Sequence, residues 1–205
     1  MLIGLTGQTG AGKSEVCGIL LGYGFDIINA DMVARDVTCA GSDCLREIAD
    51  EFGDGVLQAD KSLDRKALGA IVFSDAQRLS CLEGIIFPYI LREIDERVRR
   101  LRPKSKGIFL DAPTLFESGA SKSCDKICSV TAPKKLRIQR IIARDGITAE
   151  TARQRMSSQH DDEYYTSRSD YVIINGGTKA ELHGAVLDML RALGLNNIVN
   201  NERIT

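Results

Sequence analysis

The sequence predicts an α/β fold built on a five-stranded parallel sheet with helices on both faces, and three observations predict it. Short apolar runs alternate with helical stretches along the 205 residues. The runs are rich in Ile, Val, Leu and Phe without polar alternation, as strands buried on both faces must be. The first run leads into Gly7-Gln8-Thr9-Gly10-Ala11-Gly12-Lys13-Ser14, which satisfies every position of G-x-x-x-x-G-K-[ST], a loop that joins a strand to a helix.

Leu2 to Thr6 reads as the first strand. Glycines 7, 10 and 12 then let backbone N–H groups turn inward around phosphates, and the following helix offers the positive end of its dipole. In such a loop Lys13 would reach the β- and γ-phosphates of a nucleotide and the Ser14 hydroxyl would hold Mg²⁺. Glu15 to Tyr23 carries an apolar face of Val16, Ile19 and Leu20 on a helix that Gly24 ends. Phe25 to Asn29 is the second strand and Ile108 to Asp111 the third. Between them lie roughly eighty residues, far more than a simple crossover needs, and the excess predicts an inserted helical substrate lobe at about 32–105 that includes a helix from Leu82 to Leu101. Lys126 to Val130 and Tyr171 to Ile174 complete the sheet, with helices at Lys134 to Arg144 and Thr148 to about Ser158 between them. Thr178-Lys179-Ala180-Glu181 is a capping box opening a last helix whose core face is Leu182, Val186, Leu190 and Leu193.

Composition excludes several classes of partner. Basic and acidic residues nearly cancel, 27 against 28, so no global field recruits nucleic acid or an anionic membrane surface, and anion binding must be local. No stretch approaches about 18 uninterrupted apolar residues, and Met1 runs into the first strand without a basic region or cleavage site, so a cytoplasmic protein is expected. Six cysteines form no C-x-x-C, and His160 and His183 are the only histidines, so no zinc site is expected; the cysteines read as small buried hydrophobes of a reduced compartment.

The residues that could do chemistry sit at strand ends. Asp31 follows the second strand by two residues, at the same edge of the sheet as the phosphate loop; it is either the carboxylate that accepts a hydroxyl proton or the cap of a helix starting at Met32. Asp111 ends the third strand and reads equally as a Mg²⁺-side carboxylate or a turn starter. Ala112-Pro113-Thr114-Leu115-Phe116-Glu117 then forms an apolar loop suited to an organic substrate. The basic stretch from Arg97 to Lys106 precedes the third strand, on the wrong side of the sheet for the phosphates. Arg137, Arg140 and Arg144 share one helical face at i, i+3 and i+7, and can close over a triphosphate as a lid at about 134–160. His160 reads as a surface histidine.

Taken in order, these segments resemble the dephospho-coenzyme A kinase family from Met1 to about Asn175. Beside the phosphate loop, Asn29-Ala30-Asp31-Met32-Val33-Ala34-Arg35 is similar to the family's aspartate motif, Leu63-Asp64-Arg65 to its L-D-R, Ile71-Val72-Phe73 to its I-V-F, and Asp111 to Glu117 to its D-V-P-L-L-F-E. Arg140 to Gly146, Gln159 and Ser169 to Asn175 follow in the same order. The resemblance implies a phosphate-loop kinase fold with a substrate lobe and a lid. It further implies transfer of the γ-phosphoryl of ATP, with Mg²⁺, to the ribose 3′-hydroxyl of dephospho-coenzyme A. Asp31 would then be the base or orienting group, with Lys13 and Arg140 as its catalytic partners. Gly10, Ala11, Gly12, Lys13, Ser14, Glu15, Arg144 and Asn175 would hold ATP, and Arg65, Leu115, Phe116 and Glu117 would hold the acceptor together with Asp31. Phe87-Pro88 stands where the family has His-Pro, and Asn29 where it commonly has Asp. On the phosphate loop alone, another small-molecule or nucleoside monophosphate kinase remains open, as does a nucleotide-dependent regulator; no N-K-x-D motif supports a GTPase switch.

Overall fold

The computed structural model describes residues 1–195; residues 196–205 lie outside the described residues. In chain order the elements are β1 (Leu2–Thr6), α1 (Lys13–Gly22), β2 (Asp26–Asn29), α2 (Ala30–Val37), α3 (Asp43–Phe52), α4 (Arg65–Val72), α5 (Ala76–Leu101), β3 (Ile108–Asp111), β4 (Lys126–Thr131), α6 (Lys134–Asp145), α7 (Ala149–Ser157), α8 (Asp162–Thr166), β5 (Tyr171–Ile174) and α9 (Lys179–Ala192). The strands form one sheet in the order β2-β3-β1-β4-β5. β1 pairs in parallel with β3 and β4, and β4 in parallel with β5, the α/β sheet that the sequence predicts.

Two local differences have physical causes. The long helix begins at Ala76 rather than Leu82, because the Asp75 carboxylate accepts from the backbone N–H groups of Gln77 and Arg78 at 2.8 and 3.2 Å and so supplies a cap. That helix continues through Pro88. The helix after β2 begins at Ala30, and its cap is Asn29, whose side chain accepts from Met32 N at 2.9 Å; the reading of Asp31 as the cap is thereby corrected.

The chain divides into two compact units, one comprising Met1–Ile28 with the chain from Leu101 onward, the other Asn29–Arg100. In the first, every residue of β1 is buried. Leu182, Val186 and Leu190 of α9, with Leu193 just past its end, are buried in one cluster with Ile3, Leu5, Phe109, Val130 and Ile173. Burial of side chains of this size stabilises the fold by about 1.5–3 kcal/mol each. The capping box forms as expected, with Glu181 N donating to Thr178 Oγ1 at 3.2 Å and Thr178 N to Glu181 Oε2 at 2.6 Å. At the start of β5, Asp170 accepts from Lys126 Nζ and from Ile127 N, both at 2.8 Å. The ammonium contact, then the N–H, hold its carboxyl below the usual carboxylate range and pin β5 to β4.

The second unit has its own core of Leu45, Ile48, Val56, Leu63, Leu68 and Val72. Leu63-Asp64-Arg65 divides its labour there. Leu63 is buried, Asp64 caps α4 by accepting from Lys66 N and Ala67 N, and Arg65 stands exposed in the first turn. Arg97 is paired, donating to Glu93 at 2.7 Å and Asp36 at 2.6 Å, which accounts for part of the basic stretch without any ligand.

Candidate active site

The phosphate loop takes the backbone its glycines permit. Gly7, Gly10 and Gly12 have φ of 137°, 76° and 99°, a range in which side chains are strained. Contacts reinforce the requirement. A Cβ on Gly7 would run into the backbone carbonyl of Val130 on β4, one on Gly10 would lie 2.8 Å from Arg137 O, and one on Gly12 would strike the Asn175 amide. Gly7→Ala should therefore lower unfolding stability by about 2–5 kcal/mol, from backbone strain and from overpacking against a strand that cannot yield. Thermal unfolding checks this, and an unchanged midpoint would mean the loop is looser than its geometry. Gly12 precedes α1, whose first turn has no side-chain cap, so its N–H groups and dipole remain available to an anion. Lys13 Nζ donates to Gly7 O at 3.0 Å, folded along the loop it would serve. Ser14 is exposed in that first turn and offers the hard oxygen that Mg²⁺ takes.

Arg140 and Asn175 close the back of the loop. Asn175 is 2 % exposed; its Nδ2 donates to Ala11 O at 2.9 Å and to Glu15 Oε2 at 3.3 Å. Arg140 Nη1 donates to Gly10 O, Ala11 O and Asn175 O at 3.4, 3.3 and 3.2 Å, and Nη2 to Asn175 Oδ1 at 3.2 Å. These contacts bring Gly10, Ala11, Glu15, Arg140 and Asn175 together. Arg144 stands apart from them, exposed and paired with Asp145 at 2.7 and 3.0 Å.

Arg137, expected on one face with the other two, is instead 3 % exposed. Its Nε donates to Thr9 O at 3.1 Å, and its Nη1 to the Gln8 side-chain oxygen and, at 3.4 Å, to Asp162. Gln8 Nε2 donates to His160 O at 2.6 Å and Thr9 N to Gln159 Oε1 at 2.9 Å. Nothing in the spacing of these residues announces the grouping, since Gln8 and Arg137 are 129 positions apart. The only signal was the clustering of polar residues around Gln159.

On the loop that follows β3, Leu115 is fully buried, and a Cβ on Gly4 of β1 would lie 2.7 Å from its Cδ2. Its side chain is therefore packed into the sheet, and Phe116 and Glu117 are what the loop leaves partly open. Glu117 lies 3.6 Å from His160 Nε2, and the His160 ring stacks on Tyr164 with centroids 3.7 Å apart. His160, expected as a plain surface histidine, thus belongs to an aromatic group with Phe116, Tyr164 and Tyr165. Burial, then the Glu117 charge, push the Tyr165 hydroxyl up to about 12. Asp111 is 9 % exposed at the end of β3. Burial, then the Asp111 charge, push the neighbouring Cys17 thiol up to about 12, so that cysteine stays protonated.

The second unit holds the remaining candidates. Asp31 is exposed in the first turn of α2. Arg65 Nη2 donates to the Thr38 hydroxyl at 2.9 Å, and Thr38 is itself buried and donates to Ala34 O at 2.7 Å, which fixes the direction of the guanidinium. Phe87 is half-buried on α5, and Phe73 at the end of α4 is 83 % exposed. Among the described residues no group of three His, Cys, Asp or Glu side chains is arranged to hold a metal ion, and no helix is long and apolar enough to cross a membrane.

A family model described as dephospho-CoA kinase matches residues 1–181. The chain is 37 % identical over 198 residues to the dephospho-CoA kinase of Chlorobaculum tepidum, covering 94 % of this chain and 95 % of the relative. The crystal structure of TT1252 from Thermus thermophilus superposes with a TM-score of 0.82 at 32 % identity, covering 94 % of this chain and 97 % of that one. Dephospho-CoA kinase from Campylobacter jejuni superposes with a TM-score of 0.72 at 30 % identity, covering 96 % and 98 %.

Proposed function

The chain belongs to the dephospho-CoA kinase family, ATP-dependent enzymes of coenzyme A biosynthesis, and from that premise we propose how its own residues divide the work of moving the γ-phosphoryl of ATP to the ribose 3′-hydroxyl of dephospho-coenzyme A. The observation that carries the reading is the uncapped helix start behind three positive-φ glycines, with Lys13 folded against the loop. Backbone N–H groups of Gly10 to Ser14 cradle the phosphates, and Lys13 draws the γ-phosphoryl oxygens and offsets charge that grows as the bond to the leaving oxygen lengthens. Ser14 would hold Mg²⁺, which when bound neutralises charge on the β- and γ-phosphates. Asp31 accepts the proton of the attacking hydroxyl and aims its lone pair. Arg65 pairs with acceptor phosphates, a role for which the Thr38 contact holds its guanidinium ready.

Arg140 and Asn175 hold the carbonyl side of the loop, and through Glu15 the first turn of α1. Arg144 would have to leave its two-point pair with Asp145, at 2.7 and 3.0 Å, to reach ATP phosphates as the part of the segment 134–160 not anchored on the loop closes as a lid and excludes water. Phe116 and Glu117 line the acceptor, with the buried Leu115 beneath them. All six cysteines are free, and the reducing cytoplasm, the compartment proposed for this reaction, would keep them so.

Product analysis tests this reading. Mass spectrometry and ³¹P NMR of a reaction with ATP, Mg²⁺ and dephospho-coenzyme A should find ADP and a new 3′-phosphate in equal amounts, and no transfer to an acceptor lacking the 3′-hydroxyl. Phosphate on another position, or released ADP with unmodified acceptor, would overturn it.

A further inference from the structure

We propose that Arg137 is a positioning residue of the phosphate loop, acting through Gln8 and Thr9 rather than by touching the nucleotide; the proposal rests on the reading of Gly7 to Ser14 as the donor loop. Gln8 and Thr9 belong to neither β1 nor α1; within the loop Gln8 O accepts from Ala11 N at 3.2 Å, and the backbone groups of Thr9 and the Gln8 side chain are held from elsewhere.

Two segments supply those contacts. From α6, Arg137 reaches Thr9 O at 3.1 Å and the Gln8 amide oxygen. From the link between α7 and α8, Gln159 accepts from Thr9 N at 2.9 Å and His160 O accepts from Gln8 Nε2 at 2.6 Å. Both backbone groups of Thr9 and both ends of the Gln8 amide are thus held by side chains or carbonyls of one pair of segments. A planar guanidinium can do this because its fork donates in two directions at once, which a single ammonium does not.

The arrangement is costly, as a device retained for geometry would be. Arg137 is 3 % exposed; among the described residues its Nη2 has no hydrogen-bond partner and its one carboxylate partner, Asp162 at 3.4 Å, is itself 60 % exposed. A guanidinium buried for stability alone would be better paired. Here its donors are spent on the two loop residues, so the loop keeps its phosphate-ready shape before nucleotide arrives. The same link carries His160 against Glu117, so the segment that shapes the donor loop also touches the acceptor-side loop.

Calorimetric ADP binding and steady-state kinetics of Arg137→Met, Arg137→Lys, Gln8→Ala and the Arg137→Met/Gln8→Ala double variant test the proposal. Arg137→Met should weaken ADP binding and raise the KM for ATP about 10–100-fold, with the KM for dephospho-coenzyme A unchanged. Arg137→Lys should recover only part of the loss, and the double variant should lose less than the product of the two single losses, since the Arg137–Gln8 contact is shared while the Gln8–His160 and Arg137–Thr9 contacts are not. Multiplying losses in the double variant would overturn the proposal, as would Arg137→Met that unfolds at lower temperature yet binds ADP normally while folded. If Arg137→Met does not fold, Gln8→Ala decides alone, and wild-type ADP affinity in it is the refuting result. A wild-type protein that binds no ADP would instead refute the reading of the loop.

Discussion

Replacing Asp31 with asparagine should lower kcat by about 10²–10⁴-fold while leaving ATP affinity close to that of the native protein. The substitution is nearly isosteric and removes the one property the proposed role needs, an anionic oxygen that accepts the proton of the attacking hydroxyl. The fold makes the experiment clean. Asn29, not Asp31, caps α2, so the substitution leaves the cap at Met32 N in place. What Asp31 contributes to the helix is a negative charge in its first turn, worth about 0.3–1 kcal/mol, too small to cause a loss of that size through unfolding. Steady-state kinetics with nucleotide binding measured separately would show the split. Near-native kcat accompanied by a slightly lower unfolding temperature would leave Asp31 a helix residue and nothing more.

Lys13→Ala should cost about 10²–10³-fold in kcat, the range seen when one preorganised donor to a developing oxyanion is removed. Some weakening of ATP binding should accompany it, because the ammonium is paired with Gly7 O at 3.0 Å and its loss relaxes the loop as well as the charge. Unlike Asp31→Asn, this change should therefore appear in both kcat and KM. Single-turnover measurements at saturating ATP isolate the chemical part, and an unchanged rate there would contradict the assignment of the loop as the phosphoryl donor site.

The sheet was readable because its strands are apolar throughout, and because strand-loop-helix with G-x-x-x-x-G-K-[ST] ties a sequence pattern to one backbone shape. The α9 stripe was readable for a similar reason, since Leu182, Val186, Leu190 and Leu193 repeat at helical spacing behind an explicit capping box. Local rules missed what depended on a competing local choice. Asp75 caps α5 seven residues upstream of Leu82, and Asn29 takes the cap that Asp31 was equally able to supply. Helical periodicity put Arg137 with Arg140 and Arg144, but periodicity speaks of faces, and only the meeting of α6 with residues 8–9 and 159–162 decides that this face is buried at one end and exposed at the other. Leu115 shows the same limit, because its place in a substrate-like motif does not reveal that Gly4 leaves room for its side chain in the sheet.

Preference for dephospho-coenzyme A over other hydroxyl acceptors is what the residue roles proposed for this chain serve. Its most direct test is kcat/KM for that acceptor beside adenosine, nucleoside monophosphates and shikimate, with purified protein at saturating ATP and Mg²⁺. Dephospho-coenzyme A should exceed every other acceptor by orders of magnitude and stimulate ADP release far above the rate without acceptor. Equal or faster turnover of any other acceptor, or ADP release that no acceptor stimulates, would contradict it.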